Sequence, residues 1–313
     1  MTSQSISIYS RQGRSDPTRT LYLRKSFESK MNKKFRALCG IIRKAIVVED
    51  CFGLKKDSGG FAILAEMATP GKNAFTFPRS QDKVTGFMSW LKAQEQAGIL
   101  ETAIIPQIGQ PLEAAWTDMY IQDSYKRGVL RARYGLMKAG CDIPSIAESG
   151  GIVAAMSTPV HLDRVGLLYT RTFTGLKGIT DAMDLQLSQV LAQGIADGDG
   201  PILLARKLTK TITGPVGDLG LTDTLGRFIP AKRRAKMLAR TEIIRAHAQG
   251  TLVEMKSWGV EGVTAEVEFV SAGYNVCPIC VDLEGQVFPI DKAMNIIPVH
   301  PHCRCAWLPQ VVN

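Results

Sequence analysis

The chain has 313 residues, 45% of them hydrophobic and 21% charged, with a formal net charge of +9. Such a composition supports a sizeable core and about two domains, and it excludes a disordered chain. No run of about 18 apolar residues occurs, and "MTSQSISIYSRQGRSDP" lacks the apolar stretch of a signal peptide, so neither a membrane span nor export is expected.

Residues 1–50 hold eleven Lys or Arg against Asp16, Glu28, Glu49 and Asp50. Within them Phe27, Met31, Phe35, Leu38, Ile42 and Ile46 recur at helical steps as one apolar stripe. Lys30, Lys33, Lys34, Arg36, Arg43 and Lys44 fall mostly off that stripe. The pattern predicts an amphipathic basic helix, suited to a polyanion or, more plainly, to solvent. "KKDSGG" and "ATPGKN" then make 55–80 a loop-rich joint.

The next helix reads from Ser80 or Asp82 to Gly98. A third opens at Pro111 and stops at Gly140. A long one begins at Ser157 or Thr158, before Pro159, and runs to the Asp-Gly cluster 197–200, with Gly166, Gly175 and Gly178 as weak points. Pro201 opens a shorter helix to the region of Lys210, and 214–230 is a Gly/Pro loop. In "AKRRAKMLARTEIIRAHAQGTLVEMKSWG" Met237, Thr241, Ile244, Ala248, Leu252 and Met255 form one stripe, with Gly259 as a stop. The period then changes to two over Val263, Ala265, Val267 and Phe269, which predicts a strand. His161 and His247 fall on predicted helices, with His161 expected on a helix surface.

The strand leads into the chemistry-bearing region. Cys277-Pro278-Ile279-Cys280 and His300-Pro301-His302-Cys303 share one sequence form: donors at i and i+3 with proline after the first. A tight turn of this kind aims both donors at one ion. Nineteen residues separate Cys280 from His300, within the range of zinc ribbons. The odd total of seven cysteines argues against a complete disulfide framework, and in a reducing cytoplasm such clusters are metal ligands. Cys and His favour zinc in tetrahedral geometry.

Cys277, Cys280, His300 and Cys303 are the preferred ligands. Cys305 competes for the fourth place, because Arg304 turns away between it and Cys303. His302 occupies the turn position of Ile279 and fits less well. Buried reduced thiols or a pair of disulfides are the plain alternative. Four protein ligands would close the shell, so the metal would be structural. No HExxH, Walker loop, GxSxG or GxGxxG in the right context is present. A zinc deaminase would need Glu where Gln249 stands and Pro where Val276 stands.

Taken in order, "ARTEIIRAHAQG", a strand, "CPIC", "LEGQVFPID" and "IPVHPHCRC" resemble the C-terminal part of the Mu F-like phage head morphogenesis proteins, also called minor head or minor capsid proteins. The residues that carry the resemblance are Arg240, Thr241, Glu242, Arg245, Cys277, Cys280, Leu283, Gly285, His300, Pro301, Cys303, Arg304 and Cys305, within about residues 180–309. A departure is "AGYNVCPIC", where the family often carries an acidic residue before the first cysteine. The resemblance gives Arg240, Glu242, Arg245 and Arg304 a role as a charged clamp, in which Glu242 would hold Arg304 of the zinc module bidentately. The plain alternative is an exposed intrahelical pair of Glu242 and Arg245.

The expected fold is α+β: a long-helix N-terminal and central domain followed by a small zinc-stapled β module. Its expected segments are a basic helix and loop-rich arm over 1–80, a helical domain over 81–230, and the Arg-Thr-Glu helix with the zinc-binding module over 231–313. The resemblance implies a structural, non-enzymatic protein of a tailed phage. It would lie inside the head near the portal after assembly in the host cytoplasm, and would be open to ejection with the DNA. Portal protein, major capsid or scaffold protein and packaged DNA would be its partners, and no membrane is implied. The alternative is a cytoplasmic zinc-stabilised nucleic-acid-binding protein, although few stacking aromatics lie beside its basic residues.

Overall fold

The computed structural model describes residues 16–54, 70–100, 115–214, 229–259, 265–273 and 275–311. Most of the expected 55–80 joint, the expected helix start at Pro111, loop residues 215–228 and the first strand residue Val263 lie outside the described residues. The fold is α+β, predominantly helical, with one small antiparallel sheet.

The elements run α1 (Leu21–Arg43), a π-helical turn (Lys44–Val48), α2 (Ser80–Gln96), α3 (Asp118–Lys138), α4 (Gly151–Met156), α5 (Pro159–Ala196), α6 (Pro201–Thr213) and α7 (Ala231–Gly259). Then follow β1 (Ala265–Val270), α8 (Pro278–Asp282), β2 (Val287–Pro289), α9 (Ile290–Ala293) and β3 (Ala306–Val311). The chain folds into two compact units. One draws on residues up to Glu28, on Trp116–Phe173 and on those from Met237; the other on Ser29–Ala115 and Thr174–Lys236.

The stripe of α1 is the clearest correspondence between sequence and fold. Phe27, Met31, Phe35, Leu38, Ile42 and Ile46 are all buried, while Lys30, Lys33, Arg36 and Arg43 are exposed. The long helix α5 runs unbroken through Gly166, Gly175 and Gly178. Neither Ser80 nor Asp82 caps α2 through its side chain, and Arg79 occupies that place instead. Gly98 and Gly140 follow α2 and α3 with φ of +101° and +90°, the left-handed conformation that lets the chain leave a helix.

In the first unit α7 departs from the one-stripe expectation. Every residue from Ala246 to Met255 is buried, so neighbours enclose this part of the helix on all sides. Helix α3 crosses it at two glycines. A Cβ at Gly128 would lie 2.2 Å from the His247 carbonyl oxygen, and one at Gly250 would lie 2.4 Å from that of Tyr125. Side-chain bonds fasten the crossing, with Ser124 Oγ donating to Ile243 O at 2.6 Å and Thr251 Oγ1 to Gly128 O at 3.3 Å.

The sheet order is β2-β1-β3, both pairs antiparallel. Val267 and Phe269 of β1 point into the core, and Glu266 and Glu268 are half-buried between them, as a period of two requires. Trp307 of β3 is fully buried and meets Phe269 and Phe288 edge-on at 5.7 and 5.8 Å. Pro309 sits on an edge strand, where a missing N–H costs least. Its ring packs against Gly135 of α3, where a Cβ would come within 2.7 Å.

In the second unit Phe52, Phe75, Phe87 and Trp90 form an aromatic cluster, with Phe87 centroids 5.3 and 5.2 Å from those of Phe52 and Trp90. Lys34 Nζ donates to the carbonyls of Gly98 and Ile99 at 2.7 and 3.1 Å, which closes the C-terminal end of α2.

Candidate metal centre

Two turns bring the donors together, and they differ in form. Cys277 is the N-cap of α8, its Sγ accepting from the Cys280 N–H at 3.4 Å, with Pro278 at the first helical position. The second is a β-turn closed by the Cys303 N–H on His300 O at 3.1 Å, with Pro301 at i+1 and His302 at φ +67°. A positive φ at i+2 is the mark of a type II turn. The shared sequence form therefore resolves into two backbone solutions, because α8 can continue from the first proline while the second segment must turn back toward β3.

The ligand atoms of Cys277, Cys280 and His300 lie within 4.8 Å of one another, and so do those of Cys280, Cys303 and Cys305. Cys280 belongs to both groups. Its Sγ is 3.3 Å from His300 Nε2. A tetrahedral ion with bonds of about 2.0–2.3 Å holds its ligands roughly 3.3–3.8 Å apart, so the donor set fits a metal.

His300 Nδ1 lies 2.7 Å from Pro301 O and donates to it, which leaves the Nε2 lone pair facing Cys280. Cys280, Cys303 and Cys305 are buried, while His302 is exposed. Burial pushes the Cys280 thiol up. The Cys305 thiol, donating to Cys303, holds Cys303 well below the usual thiol range, and Cys305 is pushed up in consequence. The cluster thus already favours one thiolate, the form that binds a metal.

The module is tied to α7. The Gln249 side chain donates to the Met294 carbonyl, and Lys256 Nζ meets Asp291 Oδ1 at 2.6 Å. Glu242 is buried, with Arg171 Nε 3.3 Å from Oε1 and Arg245 Nε 3.2 Å from Oε2. Arg240 pairs with Glu28 at 2.7 Å, and Arg304 donates to the Asn275 carbonyl at 3.2 Å. Of the expected polyanion residues, Lys34 and Lys44 are half-buried and the other four are exposed.

Sequence reasoning missed a buried polar network in the same unit. His161, expected on a surface, is 3% exposed. Tyr125 Oη lies 2.9 Å from its Nδ1 and Glu254 Oε2 lies 3.0 Å from its Nε2. Arg133 Nε and Trp258 Nε1 donate to Glu254 Oε1 at 2.5 and 2.8 Å. The available signal was the lone charge in "TLVEM", an acid within an apolar run. Its partners are distant in sequence and left no local trace.

No curated protein and no solved structure matches the chain significantly. Residues 186–308 match the family model described as phage Mu protein F like protein. That segment contains α6, α7, the sheet up to Leu308 and all the Cys and His donors of the cluster. The motif order from Arg240 to Cys305, the Arg-Thr-Glu helix and the donor cluster thus fall within one matched stretch, and over residues 186–308 the chain is similar to the phage Mu protein F like family.

Proposed function

We propose that the protein is a structural minor head protein of a tailed phage, held inside the head near the portal, with a C-terminal module kept closed by one zinc ion. The observation that carries this reading is the cluster of Cys277, Cys280, His300, Cys303 and Cys305 inside the Mu F-like segment. Its donors exceed the four that zinc needs, so a bound ion would have no open position for substrate or water. The work of the module is to join, not to turn over a substrate. The three short strands and two short helices around it form too small a core to stand alone, so metal and α7 together hold it. The expected clamp takes another form: Glu242 pairs with Arg245 of its own helix and with Arg171, Arg240 pairs with Glu28, and Arg304 donates to the Asn275 carbonyl instead of to Glu242.

Metal analysis of protein made in a reducing host tests the zinc. About one zinc per chain is expected, with the module losing protease resistance on chelation, because structural zinc contributes on the order of 10 kcal/mol of apparent binding free energy. Negligible metal with every thiol free would end the reading. Mass spectrometry of purified heads tests the location: the protein should be present in few copies and absent from heads assembled without portal. The basic face of α1 favours a second reading, a zinc-stabilised nucleic-acid-binding protein that works outside the head; its absence from virions would select that one.

A further inference from the structure

The second unit contains a cleft of about 220 Å³. Asn32 of α1, Thr213 and Gly214 at the end of α6, and Lys232, Arg233 and Lys236 at the start of α7 line it. Among the described residues three cations and no carboxylate line this space, and no aromatic ring on which a base could stack.

The position of the cations is unusual. Helix α7 has no acidic residue in its first turn, and instead places Lys232, Arg233, Arg234 and Lys236 there and just beyond. The positive end of a helix macrodipole disfavours cations, so the sequence carries a local electrostatic cost that a bound anion would relieve. The N–H groups of Arg233 and Arg234 are taken by the Pro230 carbonyl at 2.9 and 3.1 Å. Those of Ala231 and Lys232 precede the first helical bond and are donors of the kind that anions occupy. The buried Asn32 Oδ1 has no hydrogen-bond partner among the described residues, and turned over, this amide would present its N–H donors.

The α1 side of the cleft continues the charge. At 3.6 residues per turn Arg36 and Arg43 share a face with Asn32, roughly 6 and roughly 16 Å further along the axis. Both are exposed. Burial raises the Cys39 thiol, while a bond with Thr213 of the cleft wall and the charges of Lys232 and Arg43 oppose it, so Arg43 is within electrostatic reach of the same wall. One isolated anion would use the cleft alone; a ligand with charges repeated along a line would use the cleft and the two arginines together.

We propose that this cleft takes a backbone phosphate of duplex nucleic acid, with Arg36 and Arg43 meeting phosphates beyond it. Binding is then independent of base sequence, and it stands on the cleft rather than on the metal module. The test is anisotropy of a short labelled duplex with the full-length protein across a salt series. K232A/K236A should weaken binding by on the order of tenfold for every sequence and lower the log–log salt slope by about 1 for each phosphate no longer neutralised. Lys72→Ala, at an exposed site elsewhere in the unit, should change neither. R233Q, at an exposed position, is measured beside the double variant so that a folding defect, read by circular dichroism, leaves the question answerable. Millimolar inorganic phosphate should compete with the duplex. Unchanged affinity in the folded variants would overturn the proposal. So would a wild-type protein that is stabilised by inorganic phosphate but does not bind duplex, which would mark a site for free phosphate.

Discussion

Two buried glutamates show how the same side chain takes opposite charge states in this fold. Glu95 is 0% exposed, and burial, reinforced by the nearby Asp184 carboxylate, pushes its carboxyl up to about 9 despite Lys92 at 3.4 Å. Burial also pushes Glu254 up, but the bonds from His161, Trp258 and Arg133 outweigh it and hold that carboxyl below its usual range. The consequences for stability have opposite signs. Glu95 stays protonated in the fold above pH 4.5, where the unfolded chain ionises, so its contribution declines as pH rises from there to about 9. The contribution of Glu254 is present above the ordinary carboxylate value and is lost as pH falls through its lowered one. Urea unfolding of Glu95→Gln should therefore show a flatter dependence on pH than wild type across the alkaline half of that window; identical slopes would mean that Glu95 is ionised in the fold. Cys280 is singular in another way, because both donor triplets contain it. Cys280→Ser should abolish metal retention, whereas Cys303→Ser or Cys305→Ser should weaken it and leave measurable metal in competition with a chelator. Equal losses in all three variants would contradict a shared role for Cys280.

At the scale of the element, α7 holds the first unit together, and its crossing with α3 depends on missing side chains. Gly128→Ala would drive a methyl group into the His247 carbonyl. The helices would have to separate, at a cost of about 1–3 kcal/mol, and thermal unfolding should register the loss. Gly166→Ala, in α5 with open space around it, should be neutral or slightly stabilising in the same assay. α7 also shows where sequence periodicity stops being informative. Its stripe from Ile244 to Met255 is present, but Ala246, His247, Gln249, Gly250 and Thr251 are buried as well. The stripe marks only one of its buried sides; the others are small or polar residues whose partners come from distant segments. α1 was legible because its apolar stripe from Phe27 to Ile46 is unbroken and most of its cations lie off that stripe. α8, α9 and α4 were not, because four to six residues are too few for a period to register. β3 was hidden by Pro309, which argues against a strand everywhere except at a sheet edge.

For the whole molecule, what the sequence revealed most fully was its cluster of candidate metal donors. Ligand spacing is local, and the residues from Cys277 to Cys305 could be identified as donors without knowledge of the fold. Charge placement was legible only by halves. The basic residues of α1 stood out, but Lys232, Arg233 and Lys236 were seen only as the start of a helix, since their meeting with Asn32 and Thr213 is tertiary. The ion pairs of Glu242 with Arg171 and of Arg240 with Glu28 were likewise beyond reach, because they join positions 71 and 212 residues apart.

The first unit has a consequence for synthesis. It is assembled from three stretches, residues up to Glu28, Trp116–Phe173 and those from Met237. A ribosome makes α3 long before α7, so Ala132 and Leu136, buried in the finished fold in one core with Ile244, Ala248 and Leu252, emerge before those partners. They must wait while roughly a hundred residues are added, exposed to chaperones and to other nascent chains. The Cys and His donors of the cluster emerge later still, after α7 and β1. Closure of the Cys/His module therefore follows the covering of α3, and a chain cut short before α7 would carry neither a covered α3 nor a module to dock on it.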